Sequence, residues 1–236
     1  EVLGRGRPLI FLHGWVGSWR YWIPAMQTLS SEYRTYALDL WGFGDTAKFG
    51  ERYNLVGQSD LLFKFMDQLG IIRAAFVGHS LGGLVVLEAL HRHPQVVAGR
   101  VVLLGTPVRG NFAARRLARY TLGRWLLGKS EPLWRERHPG GRERHPGSWR
   151  EGREARWARA ERLGVIAGTR PFGLGRVLGR LPGVNDGVVC LDETALEGMA
   201  ERVVLPVGHS AMLISARVAE NVATFLAEGR FSAVTR

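Results

Sequence analysis

A regular alternation between Pro8 and Thr106 constrains this chain more than any other feature. Short, almost wholly apolar runs, PLIFLHG (8–14), RTYALDL (34–40), AAFVGHS (74–80) and RVVLLGT (100–106), take turns with amphipathic stretches. Those stretches are WRYWIPAMQTLSS (19–31), SDLLFKFMDQLG (59–70) and LGGLVVLEALHRH (81–93). Strands that are apolar on both sides must be covered on both sides, and the intervening stretches, at about a dozen residues each, are long enough for crossover helices. The pattern predicts an α/β fold with a mostly parallel central sheet and helices on both faces. It resumes with LGVIAGT (163–169), ERVVLPVGH (201–209) and a final helix, SARVAENVATFLAEG (215–229), whose Val218, Val222, Phe225 and Leu226 share one face.

The alternation is interrupted once. Between Arg109 and Arg162 stand fourteen arginines and Lys129 against six glutamates, so most of the formal charge of +11 lies in one segment. RERHPG occurs at 135–140 and again at 142–147, a duplication too short for a solenoid repeat. The flanks, NFAARRLARYTLGRWLLG (111–128) and REARWARAERL (153–163), read as helical. Residues 108–162 are therefore expected to form a short helical cap inserted between two strands, dividing the core into 1–107 and 163–236. Solvated charge accounts for such a basic stretch, and weak contact with anionic lipid surfaces is the alternative. Nucleic acid is not the expected partner, since such a binder would carry its arginines on an ordered face with aromatics placed for stacking, and solvated charge already accounts for this segment.

At 236 residues the chain is long enough to bury roughly 70–75% of its unfolded surface around one core. Cys190 is the sole cysteine, which excludes an internal disulfide. No apolar run approaches the roughly 18 residues of a membrane span, and the first residues lack the shape of a signal peptide. A cytoplasmic location is the expectation. No metal or cofactor motif is found, and the oligomeric state is left open.

Gly78-His79-Ser80-Leu81-Gly82 matches G-x-S-x-G, placed after an apolar strand and before a helix. A sharp strand-to-helix turn needs residues without bulk beside the serine, and it presents the hydroxyl above the carboxyl edge of the sheet. Ser80 is otherwise only a small residue in a glycine-rich turn, because a serine hydroxyl needs a base to act. Of the seven histidines, His79 adjoins Ser80 and is expected to point elsewhere. His91 and His93 end the next helix, His138 and His145 lie in the duplicated stretch, and His13 ends the first strand as a brace for its loop. His209, in the loop after VVLPV, comes to the same edge as Ser80. The acid follows in the order serine, acid, histidine, so LPGVNDGVV offers Asp186, with Asp192 and Glu193 in reserve. Asn-Asp-Gly is also simply a good turn. The backbone amides of Leu81 and of Trp15, in HGWVGS, complete an oxyanion hole. Trp19, Trp22, Trp41 and Met212, with Trp15, are candidates to line an apolar acyl site.

With these residues the chain resembles an α/β-hydrolase of the esterase and lipase type. FLHGWVGS, DLWGFGDT (39–46), GHSLGG, GTP (105–107), NDGVV and VGHSAML (207–213) carry the resemblance. It implies that Asp39 shapes a turn, and that a small-molecule ester or lipid is hydrolysed through an acyl-enzyme without a cofactor. The long spacing from VIAGT to Asp186, RPFGLGRVLGRLPGVN, and the apolar SAML lean toward the small-lipase branch, and NDGVV resembles the acid loop of bacterial lipases. The same triad serves thioesterases, perhydrolases and C–C hydrolases. A noncatalytic member that binds through the basic cap is the reading from another class.

Overall fold

The computed structural model describes residues 1–48, 50–117, 159–172 and 181–232. Seven strands form one sheet: β1 (Val2–Leu3), β2 (Arg7–Leu12), β3 (Tyr33–Leu38), β4 (Arg73–His79), β5 (Val97–Leu104), β6 (Leu163–Gly168) and β7 (Glu201–Leu205). Their order is β1-β3-β2-β4-β5-β6-β7. Only β1 runs antiparallel, pairing with β3 at the edge, and the other neighbours are parallel. The expected α/β architecture, a mostly parallel sheet, is the one the chain adopts.

Sheet alternation sorts the core into two layers. In β2, Ile10 and Leu12 face the layer that holds α2 (Leu55–Gln68) and α3 (Leu81–Arg92), while Leu9 and Phe11 face α1 (Ile23–Leu29) and the final helix. All four side chains have no exposed surface. That is why this strand reads as a continuous apolar run. The final helix, Ala216–Glu228, starts on the Ser215 cap and stops at Gly229, whose left-handed φ of 84° favours glycine. Its Val218, Val222, Phe225 and Leu226 are buried as expected.

The stretch 19–31 forms two elements where one helix was expected. A 3₁₀ turn, Trp19–Trp22, precedes α1, because Pro24 sits at the helix start, where its missing N–H costs nothing. Residues 105–162 connect β5 to β6. Of them the structure describes α4 (Phe112–Leu117) and a 3₁₀ turn, Ala160–Arg162. The rest of the predicted cap, 118–158, lies outside the described residues, and so does the expected lipid contact there.

Candidate active site

Ser80 joins β4 to α3 with φ 53° and ψ −120°, a left-handed backbone that is costly for a residue with a side chain. The cost is met by neighbours that hold the turn: the Ser80 amide donates to Leu104 O at 2.9 Å, and Gly83 N donates to Ser80 O at 3.1 Å. The approach is so close that a Cβ on Gly78 would lie 2.6 Å from Gly83 N, and one on Gly82 would lie 2.6 Å from His13 O. Only glycine fits either place.

His209 follows β7 and is buried, with 5% of its surface exposed. Its Nδ1 lies 2.7 Å from Asp186 Oδ2, and its amide donates to Asp186 O at 2.9 Å. The other carboxylate oxygen, Asp186 Oδ1, accepts from Val188 N at 2.9 Å and Val189 N at 2.7 Å. Asp186 thus caps its own turn and orients His209 at once. Because the carboxylate accepts, the proton sits on His209 Nδ1 and leaves Nε2 as an acceptor. Gly105, with φ 51°, packs over the pair: a Cβ there would lie 3.0 Å from both Asp186 Oδ2 and His209 Nδ1.

Ser80 and His209 are linked through His79, whose ring centroid is 4.5 Å from that of His209 and whose Nε2 lies 3.1 Å from His209 O. No hydrogen bond joins Ser80 Oγ to His209 Nε2. Catalytic hydrogen bonds of this kind commonly tighten only on substrate binding. Sequence reasoning set His79 aside. His79 ends β4, and strand alternation puts it on the same face as Ala75 and Val77, so the period-two pattern of the strand is the signal that could have found it. Burial pushes the His79 pKa well below its ordinary value, with His209 nearby acting in the same direction, so His79 stays neutral.

The loop after β2 lies over the nucleophile: a Cβ on Gly14 would sit 2.9 Å from Ser80 Cβ. His13 braces this loop as expected. Its Nε2 accepts from Leu40 N at 3.1 Å, which places the proton on Nδ1, 2.7 Å from Gly14 O. Burial lowers its pKa, so the 3.5 Å approach to Asp39 is no ion pair. Asp39 instead shapes its turn, accepting from Trp19 N at 2.6 Å and Asp45 N at 2.8 Å. Neither the Trp15 nor the Leu81 amide donates to another group among the described residues. In the Gly14–Gly17 turn, closed by Gly17 N to Gly14 O at 3.1 Å, Val16 adopts φ 57°.

The five residues expected to line an acyl site differ in burial. Trp15, Trp19 and Trp41 are half-buried, with Arg20 over the Trp19 ring and Arg52 over that of Trp41. Trp22 and Met212 are core residues instead, 1% and 2% exposed. The Trp22 ring packs tilted against Phe11 at 4.9 Å, and Met212 packs beneath Gly168. Of the reserve acids, Asp192 is exposed. Glu193 accepts from Phe112 N at 2.5 Å and Cys190 N at 2.7 Å, tying the start of α4 to the Asp186 loop. Among the described residues no cluster of three or more histidine, cysteine or acidic side chains is placed to hold a metal, and no helix is long and apolar enough to cross a membrane.

Comparison with known proteins bears on the family and the fold. A family model described as alpha/beta hydrolase fold matches residues 7–131. The chain is 30% identical over 116 residues to the pimeloyl-[acyl-carrier protein] methyl ester esterase of Aliivibrio salmonicida, covering 49% of this chain and 41% of that protein. It is 31% identical over 131 residues to a carbamate hydrolase of Cronobacter turicensis, covering 53% and 49%. The chain thus spans less than half the length of these curated relatives. Across its whole length it is similar in fold to a meta-cleavage product hydrolase from Pseudomonas fluorescens, with TM-score 0.69, 21% identity and 98% and 94% of the two chains covered. An enol-lactonase from Burkholderia xenovorans gives 0.63, 22%, 97% and 95%.

Proposed function

The chain belongs to the α/β-hydrolase fold family, and on that premise we propose that it is a carboxylic ester hydrolase acting on apolar acyl esters through Ser80, His209 and Asp186. The observation that carries the reading is the short contact between His209 Nδ1 and Asp186 Oδ2, made beside a strained serine turn. It leaves the other imidazole nitrogen of His209, Nε2, free to accept a proton, which is what an inert hydroxyl needs.

In this mechanism His209 Nε2 takes the Ser80 proton as Oγ attacks the ester carbonyl carbon. The carbonyl oxygen becomes an oxyanion held by the amides of Trp15 and Leu81. Collapse of the intermediate expels the alkoxide, which takes the proton from His209 and leaves as the alcohol. Water then adds to the acyl-Ser80 ester by the same route, releasing the carboxylic acid and restoring Ser80. Asp186 keeps the proton of His209 on Nδ1 in the resting state and stabilises the imidazolium formed during each transfer.

Apolar acyl groups are favoured by the half-buried Trp15, Trp19 and Trp41 near the edge where Ser80 lies. The activity in the printed name of the Aliivibrio relative, methyl ester hydrolysis, is compatible with this chemistry. The test is hydrolysis of p-nitrophenyl esters from acetate to palmitate by the native chain and by Ser80→Ala. Turnover that vanishes in the variant, with unchanged circular dichroism, supports the reading, and the chain-length optimum separates esterase from lipase. Equal turnover in both proteins, or none in either, overturns it.

A further inference from the structure

His79 lies against His209 and the loop after β2, one residue before Ser80, and has no role in the proposed chemistry. It is 5% exposed. Its Nε2 lies 3.1 Å from His209 O, and its ring is tilted by 47° against the His209 ring at 4.5 Å. On the other side, a Cβ on Gly14 would come within 2.9 Å of His79 Nδ1. His79 therefore fills the space between the loop after β2 and the His209 loop, one residue before Ser80. A carbonyl oxygen can only accept, so the His79 proton sits on Nε2, and Nδ1 is a buried nitrogen without a hydrogen-bond partner among the described residues.

Leaving a buried acceptor unpaired costs stability. An apolar side chain of similar volume would avoid that cost, and would be the better choice if His79 only filled space. What an apolar side chain lacks is the donor to His209 O. The His209 backbone is otherwise held by its amide bond to Asp186 O and its side chain by Asp186 Oδ2, both from one loop. The His79 bond is the direct tie from His209 to the strand that carries Ser80.

We propose that His79 is a positioning residue, which donates from Nε2 to the His209 carbonyl and so fixes the catalytic imidazole against the nucleophile strand. This inference rests on the ester-hydrolase reading for its consequence, though not for its geometry. Loss of the bond lets the His209 loop drift relative to Ser80. Proton transfer suffers and ground-state binding of the ester does not, so the defect falls on kcat and spares KM.

The test compares the native chain with His79→Leu, which keeps bulk and removes the donor, and His79→Gln, whose amide nitrogen reaches as far as the imidazole Nε2. With p-nitrophenyl butyrate, His79→Leu is expected to lower kcat by about tenfold to a hundredfold with KM changed by less than about twofold. His79→Gln is expected to recover most of that loss. Native turnover in His79→Leu, or equal impairment in both variants, overturns the proposal. A second measurement needs neither variant nor activity: two-bond nitrogen–proton correlation spectra of the native chain labelled with ¹⁵N-histidine. A proton on His79 Nε2 supports the proposal, and a proton on Nδ1 overturns it. If the native chain hydrolyses no ester, the ester reading fails by itself, and the spectrum still decides whether His79 holds His209.

Discussion

Asp186 and His209 are joined by a 2.7 Å contact from Oδ2 to Nδ1, while the second carboxylate oxygen of Asp186 is taken up by the amides of Val188 and Val189. Every position around this carboxylate is a donor. In Asp186→Asn the new NH₂ must therefore face a donor whichever way the amide turns, either His209 Nδ1–H or the two backbone amides. The expected result is a folded protein whose kcat on p-nitrophenyl esters falls by about 10⁴ through the wrong imidazole tautomer. A variant retaining more than about a tenth of native turnover would remove Asp186 from the mechanism.

Gly14→Ala tests the other wall. The added Cβ lies 2.9 Å from both Ser80 Cβ and His79 Nδ1 and 3.3 Å from His79 O, and it cannot be relieved by rotating a flexible side chain. The loop must shift and carry the Trp15 amide with it. Loss of one oxyanion donor corresponds to about a 10²–10³-fold fall in kcat, measured by steady-state kinetics beside a thermal melt.

Val16 combines a branched side chain, a left-handed φ of 57° and 62% exposure, so it is strained and packs little in return. Val16→Gly is expected to stabilise the protein by about 1 kcal/mol, visible as a rise in melting temperature of roughly 2–4 °C. A lower melting temperature would show that the side chain supports the turn.

His13 and His79 both have lowered pKa values, chiefly through burial. A depressed histidine is neutral in the fold and charged once unfolded in acid, so the unfolded state binds more protons as pH falls. Stability is therefore full above about pH 6.5 and declines below it, with each histidine contributing up to about 1.4 kcal/mol per pH unit. Urea unfolding at about pH 8 and pH 5.5 should show this loss, and His79→Gln should show a shallower dependence than the native chain.

Cys190 is buried, and burial together with nearby Glu193 pushes its thiol up to about 12 from 9.0. Thiolate at neutral pH is then roughly a thousandfold scarcer than for an ordinary cysteine, because each pKa unit is a factor of ten. Iodoacetamide should leave the native protein unmodified over hours and label Cys190 quickly in denaturant.

The strands were legible because burial on both faces leaves no polar positions to confuse the pattern, as Leu9 to Leu12 show. Ser80 was legible because its turn demands glycine at Gly78 and Gly82, where any side chain meets backbone. The placement of Asp186 beside His209 was legible from chain order and the turn-forming Asn185-Asp186-Gly187. The burial of Trp22 and Met212 was not. Trp19 and Trp22 lie in one short turn, yet Phe11 claims Trp22 for the core while Trp19 stays half-buried. Met212 is likewise absorbed by the space under Gly168. Which aromatic faces a substrate depends on contacts between distant segments, and no local period records them.

The junction of β5 and β6 has a further consequence. The chain leaves β5 at Leu104 and returns at Leu163, which pairs with Val101 one strand away, so the two anchor points are roughly 11 Å apart by strand rise and spacing. Their separation is set by backbone pairing in the sheet and owes nothing to what is strung between them. Once a connection is long enough to cross over, doubling its length costs only about 0.6 kcal/mol in closure entropy. Gly105 and the start of α4 are tied to the Asp186 loop, but the length of chain that follows α4 is interchangeable on these grounds. Descendants of this chain could lengthen, shorten or replace that segment, and with it whatever it presents to a substrate, while the register that holds Ser80, Asp186 and His209 stays as it is.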